Sequence, residues 1–122
     1  MNEYLLYEYS ITTPSLRKTM PLYHIVLFRL KPSTPVESLD EFKRRAAAMV
    51  SQIPGLLKID INSPWPGTAH RSRGYNMGVV AVLEKAEDIV GYATHPAHLY
   101  TQELRTEICE DDTLAYDLEF PA

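Results

Sequence analysis

Two stretches of this chain are apolar on both faces of a β-strand, and a sheet built from them needs cover on both sides. The first, LYHIVLFRLK, runs from Leu22 to Lys31 and is rich in β-branched and aromatic residues. Side chains alternate across a strand, so His24, Val26, Phe28 and Leu30 share one face while Tyr23, Ile25, Leu27 and Arg29 share the other. The second stretch, YNMGVVAVLE, runs from Tyr75 to Glu84 and has the same two-sided character. Strands of this kind lie inside a fold, buried on both surfaces.

The remaining segments say what could provide the cover. Thr34-Pro35-Val36-Glu37 reads as a helix start, with the threonine as cap, the proline in the first helical position and the glutamate completing a capping box. Leu39, Phe42, Ala46, Met49 and Ile53 follow at alternating spacings of three and four and form one apolar stripe, while Lys43, Arg44 and Arg45 occupy the solvated side. Pro54-Gly55 ends the helix. LKIDIN, residues 57–62, alternates as a half-buried strand. The loop 63–74, SPWPGTAHRSRG, places Trp65 between two prolines, either over a cavity mouth or in a locally packed turn. Its His70, Arg71 and Arg73 either attract an anionic ligand or are simply solvated. Residues 86–94 and 97–109 read as two helices joined at a histidine-proline corner, and 114–120, LAYDLEF, as a final strand.

The order strand, helix, strand, strand, helix pair, strand predicts an α+β, ferredoxin-like βαββαβ domain with an antiparallel sheet and helices on one face. Helices on one face leave the other face of the two-sided strands without cover. A second copy, closing two sheets into a dimeric α+β barrel, meets that need most simply. The domain is expected over residues 20–122, with residues 1–19 as a loosely ordered extension whose Tyr4, Tyr7 and Tyr9 either dock elsewhere or stay solvated.

At 122 residues the chain has room for one core. A formal charge of −4 argues against nucleic acid or an anionic membrane as partner. No apolar run approaches the roughly 20 residues of a membrane span, and no basic, then apolar, leader opens the sequence. Cys109 is the sole cysteine, so no internal disulfide forms. The expectation is a cytoplasmic domain.

The chemistry concentrates in GYATHPAHLY, residues 91–100. His95 and His98 lack the third ligand a zinc site requires, and Pro96 pushes His95 toward extended backbone. Pro96 suits a helix's first turn and carries His98 into it, where the helix terminus favours a neutral imidazole able to accept a proton. Tyr92, in the last turn of the preceding helix, could share a cavity with it as a hydrogen-bond donor to a carbonyl. Read from the residues alone, the motif is either such an acid–base pair or a packed helix corner with His95 structural.

LYHIVLFRLK, "IPG" after the first helix, "GY" opening the third strand and YxxHPAH together resemble the stress-responsive A/B barrel domain family, from Met20 to Phe120. The resemblance implies a homodimer, and a pocket between sheet and helices for a small apolar or polyketide-like ligand. The family includes a plant polyketide cyclase that performs an intramolecular aldol condensation without a cofactor. On that pattern His98 is the catalytic base and Tyr92 its partner. His24, Val26, Phe28, Met77 and Val79 become the ligand-contacting residues. Met77 departs from the cyclase, which has a pocket histidine there, so the cyclase's own substrate does not carry over. Some relatives also hold a structural magnesium through backbone carbonyls, which here would fall near Ile53; no other cofactor is implied. The readings that follow are a cofactor-independent cyclase or aldolase-like enzyme, a non-catalytic stress or ligand-binding protein, and a cofactor-free monooxygenase.

Overall fold

The computed structural model describes residues 20–121, so the expected 1–19 extension lies outside the described residues. The elements are β1 (Leu22–Leu30), α1 (Val36–Met49), β2 (Leu56–Asn62), a 3-10 helix (Pro66–Arg71), β3 (Met77–Leu83), α2 (Asp88–Thr94), α3 (Pro96–Ile108) and β4 (Cys109–Glu119). The four strands form one antiparallel sheet in the order β2-β3-β1-β4, the ferredoxin-like arrangement expected from the sequence. This order explains the two-sided strands, because β1 and β3 are the two central ones.

The helices cover the face that carries His24, Val26 and Phe28 of β1. Across the ladder these residues oppose Ala81, Val79 and Met77 of β3, all buried. The burial of β3 follows a strict period of two, with Met77, Val79, Ala81 and Leu83 inward. Phe42, Ala46 and Met49 of α1 are buried at helical spacing, and Ile53 joins them from the turn beyond. Two packed clusters result, one around Met49, Leu56 and Leu83, the other around Phe28, Phe42 and Ile108. Ile59 and Ile61 of β2 touch both.

The opposite face carries Tyr23, Ile25 and Leu27 against Leu118, Tyr116 and Leu114 of β4, and Val82 and Val80 of β3. Tyr116 is 60% exposed on this face. Toward the β2 edge the same face turns polar with Lys58, Asp60 and Asn62.

Three local expectations change. Thr34 does not cap α1. Its hydroxyl donates to the Lys31 carbonyl at 2.7 Å and reaches the Ile108 carbonyl at 3.3 Å, which ties the start of α1 to the end of α3. Pro35 is the N-cap instead, its carbonyl accepting the Ser38 and Leu39 N–H groups, so Glu37 sits one position too early to close a capping box. The last strand begins at Cys109, well before the alternating LAYDLEF. Pairing of Leu30 with Cys109 and of Arg29 Nε with Asp112 at 2.8 Å outweighs the poor strand propensity of Glu110-Asp111-Asp112. Trp65 is 70% exposed and its ring occupies the space a Gly67 side chain would need, so it closes a local turn.

Gly55 adopts φ +87°, and a Cβ there would collide with the Asp88 carboxylate. At Gly91, inside α2, a Cβ would meet nothing within 4 Å. Thermal and chemical unfolding should therefore separate the two: Gly55→Ala loses about 2 kcal/mol of stability, while Gly91→Ala gains about 0.5–1 kcal/mol.

Candidate active site

Between the helix-side face of the sheet and the helices lies a cavity of about 250 Å³. That is just below the range of roughly 300–1,000 Å³ usual for a ligand site. Its walls are mostly apolar, with Val26, Phe28, Met49, Ile59, Ile61 and Val79 among them. Tyr92, His24 and His98 contribute the titratable groups at one end, and Arg105 brings a cation.

The α2–α3 corner sets the position of His98. His95 has extended backbone (φ −67°, ψ 140°), as its place before Pro96 demands, and its Nδ1 accepts the Ala97 N–H at 3.0 Å. His95 is thus the N-cap of α3. Pro96 occupies the first helical position, and His98 follows in the same turn, its N–H donating to the His95 carbonyl at 2.9 Å. The His98 ring folds back so that Nδ1 lies 3.0 Å from the Ala93 carbonyl. A carbonyl only accepts, so Nδ1 carries the proton and Nε2 of the neutral ring is left with its lone pair.

Burial pushes the His98 pKa below the ordinary histidine value. The Ala93 carbonyl opposes this, and His24 and Arg105 add to it by charge repulsion. Burial pushes the Tyr92 phenol in the other direction, up to about 12, with Arg105 opposing and Asp117 adding. The pair is therefore neutral imidazole beside neutral phenol across the physiological range, a proton acceptor next to a hydrogen-bond donor.

Tyr92 is buried between the two histidines. Its ring centroid lies 4.6 Å from that of His98 and 5.3 Å from that of His24, the latter edge-on. His24 Nδ1 meets Asp117 Oδ1 at 2.6 Å across the β1–β4 ladder. The carboxylate fixes Nδ1–H as the donor when His24 is neutral and leaves its Nε2 free as well.

Of the residues anticipated from the sequence, the structure brings His98, Tyr92, His24, Val26, Phe28 and Val79 around this one cavity. Met77 is not among the lining residues. It shares their sheet face but is buried in the cluster around Phe28 and Ile108, one ladder step beyond Val79. Asp117, Arg105, Thr101 and Gln102 were not foreseen. Thr101, Gln102 and Arg105 follow His98 at three, four and seven positions along α3, a spacing visible in the sequence once His98 is placed. Asp117 depends on the β1–β4 register, which no local pattern reports.

Other candidates lie elsewhere. His70, Arg71 and Arg73 do not line the cavity; the Arg73 carbonyl accepts from Arg29 Nη1 at 2.8 Å. Cys109 is buried, its thiol pushed up to about 11, which keeps it protonated and inert. Among the described residues there is no group of three or more His, Cys, Asp or Glu that could hold a metal ion, and no helix is long and apolar enough to cross a membrane. Near Ile53, the Met49, Ile53 and Gly55 carbonyls already accept backbone N–H groups. Asp88 Oδ2, buried beside Gly55, has no hydrogen-bond partner among the described residues. Carbonyl oxygens with one carboxylate are the donor types a hard cation takes.

A ferredoxin-like α+β fold with its cavity between sheet and helices defines the structural class. The chain belongs to the stress-responsive A/B barrel domain family, whose model matches residues 22–120. Among solved structures it is similar to a dimeric ferredoxin-like protein of unknown function from Bacteroides fragilis, at 28% identity and TM-score 0.67, over 82% of this chain and 96% of that one. It is similar in fold to a hydroxynitrile lyase from Passiflora edulis (13% identity, TM-score 0.73, 85% and 96% covered). It also resembles a dimeric ferredoxin-like protein of unknown function from Thermobifida fusca (20% identity, TM-score 0.70, 84% and 93% covered). No curated protein sequence matches.

The ring geometry predicts a specific nuclear magnetic resonance signature. His98 should hold its proton on Nδ1 at neutral pH and titrate below the usual histidine midpoint of about 6.5. A proton on Nε2, or a midpoint above that value, would contradict the arrangement.

Proposed function

We propose that the cavity carries out cofactor-independent proton abstraction next to a carbonyl, of the kind used in cyclisation and aldol-type reactions of small polyketide or β-keto compounds. The observation that carries this reading is the pairing of His98, with a free Nε2, and an un-ionised Tyr92, at 4.6 Å between ring centroids in a mostly apolar cavity. Nε2 of His98 takes a proton from the carbon beside the carbonyl. The Tyr92 hydroxyl donates a hydrogen bond to the carbonyl oxygen, where negative charge develops as the enolate forms. The enolate carbon then attacks a second carbonyl of the same molecule, and the proton held by His98 returns to the new alkoxide. His24, oriented by Asp117, contacts the polar end of the substrate.

The mostly apolar walls of the cavity strengthen these interactions. A structural magnesium at the Ile53–Gly55 turn, with Asp88 as its carboxylate, would stand apart from this chemistry. The rival reading is a ligand-binding protein that uses the same cavity without turnover.

Proton exchange into deuterated water distinguishes them. The protein should accelerate exchange at the central carbon of ethyl acetoacetate, and His98→Gln should slow it by ~10²–10⁴-fold while remaining folded. Tyr92→Phe should slow it by about 10²-fold. A His98→Gln protein with undiminished exchange would remove His98 from the mechanism, and a wild-type protein no faster than buffer would favour the binding role.

The same proposal includes a homodimer built on the sheet face away from the helices; the similar protein from Bacteroides fragilis is itself dimeric. Tyr23, Ile25, Leu27, Val80, Val82 and Leu118 make that face too apolar for a central pair of strands to leave in water. Substituting Tyr116→Asp, which places a charge opposite Ile25, should yield monomers in sedimentation experiments; an unchanged dimer would place the interface elsewhere.

A further inference from the structure

Among the described residues, Arg105 is the one charged side chain on the cavity wall whose charge is not neutralised nearby. Arg29, Arg44 and Arg45 are each paired with a carboxylate, Asp112 for the first and Glu41 for the other two. Arg105 has no ion-pair partner among the described residues. Its Nη1 donates to Thr113 Oγ1 at 3.3 Å, and its guanidinium carbon lies 6.0 Å from the Phe28 ring centroid. Its helix neighbours at three and four positions are Thr101, Gln102 and Ile108, none of them acidic. Among the described residues no Asp or Glu lines the cavity, and the Asp117 carboxylate is already engaged by His24. A guanidinium on an apolar wall is stabilised by an anion, and the described residues do not supply one there.

We propose that Arg105, with the Thr113 hydroxyl, binds the carboxylate of an amphipathic monocarboxylic acid whose apolar chain fills the cavity toward Tyr92 and His98. The placement of a reacting carbonyl at the far end rests on the function proposed above; the carboxylate site does not. One cation with a planar fork matches a singly charged, two-oxygen carboxylate, whereas a phosphate dianion would call for more positive charge. His98 and Arg105 are seven residues apart on α3, two turns and about 10.5 Å of helix rise. They therefore hold the two ends of an elongated ligand, with Gln102 and the apolar walls between.

The arrangement links the two ends. Tyr92 of α2, His24 of β1 and Arg105 of α3 are the titratable or charged groups around His98, and Arg105 helps to keep its imidazole neutral. A carboxylate seated on Arg105 cancels that repulsion and makes His98 a stronger base only when a ligand is present.

Calorimetric titration with octanoate and with octanol tests the site without turnover. Wild-type protein should prefer octanoate by about tenfold or more, the usual effect of a charge-assisted hydrogen bond. Arg105→Gln should abolish the preference while still binding octanol, and Arg105→Lys should keep part of it. Saturating octanoate, but not octanol, should raise the His98 titration midpoint seen by nuclear magnetic resonance. Equal binding of the two compounds by the wild type, an unchanged preference in Arg105→Gln, or no binding of either compound would overturn the proposal. These results stand whether or not His98→Gln affects proton exchange, so the carboxylate site and the reaction fail separately.

Discussion

Everything in this structure depends on two central strands that are apolar on both sides. β1 and β3 pair through seven registered positions, from Leu22 opposite Leu83 to Phe28 opposite Met77. Their inward residues meet α1 and the α2–α3 corner. Their outward residues are only half-buried, with Phe120 stacked on Tyr23 at 3.9 Å, and Leu114, Tyr116 and Leu118 of β4 beside them are exposed. The hydrophobic effect rewards covering both sides at about 25 cal/mol per Å² of apolar surface. The fold meets the inward demand incompletely, because a gap lined by Val26 and Val79 remains between the sheet and the helices. That gap is the cavity, so the site is a consequence of how the helices lie on the sheet.

The corner between α2 and α3 converts this gap into a place for chemistry. A proline after His95 forces extended backbone, ends one helix and starts the next within a single residue. His95 absorbs the exposed N–H of the new helix, and His98 is turned inward with its Nδ1 proton committed to Ala93. Two histidines three residues apart therefore have different work, which follows from their positions relative to Pro96. Tyr92, buried from the preceding helix, completes the pair, and desolvation keeps both members uncharged.

Much of this was legible in the sequence, for identifiable reasons. The alternation in VVAVL and the stripe through Phe42, Ala46 and Met49 are local patterns that burial reproduces, and LYHIVLFRL, apolar on both faces, has no exposed position in β1. Pro96 announced the corner because its effect on its neighbours is local too. What was not legible depends on contacts across the fold. Cys109 to Thr113 carry no strand signal and pair only because β1 lies beside them. Asp117 reaches His24 only through that register. Thr34 looks like a cap in sequence, yet the Lys31 and Ile108 carbonyls take its hydroxyl. Alternation assigns Met77 to a sheet face but does not report its distance along the strand, which puts it in the cluster around Phe28 and Ile108 and off the cavity wall.

The proposed chemistry stands or falls on a neutral His98 acting as base beside a neutral Tyr92. The pH dependence of catalysed proton exchange probes that pair without intermediaries. The rate should show a single rise with a midpoint below the ordinary histidine value of about 6.5, then a plateau that persists past pH ~9 because the phenol ionises only near 12. A rate that instead climbs with a midpoint near pH ~10, the value of an ordinary tyrosine, would mean that the phenolate is the base. That result would contradict the assignment.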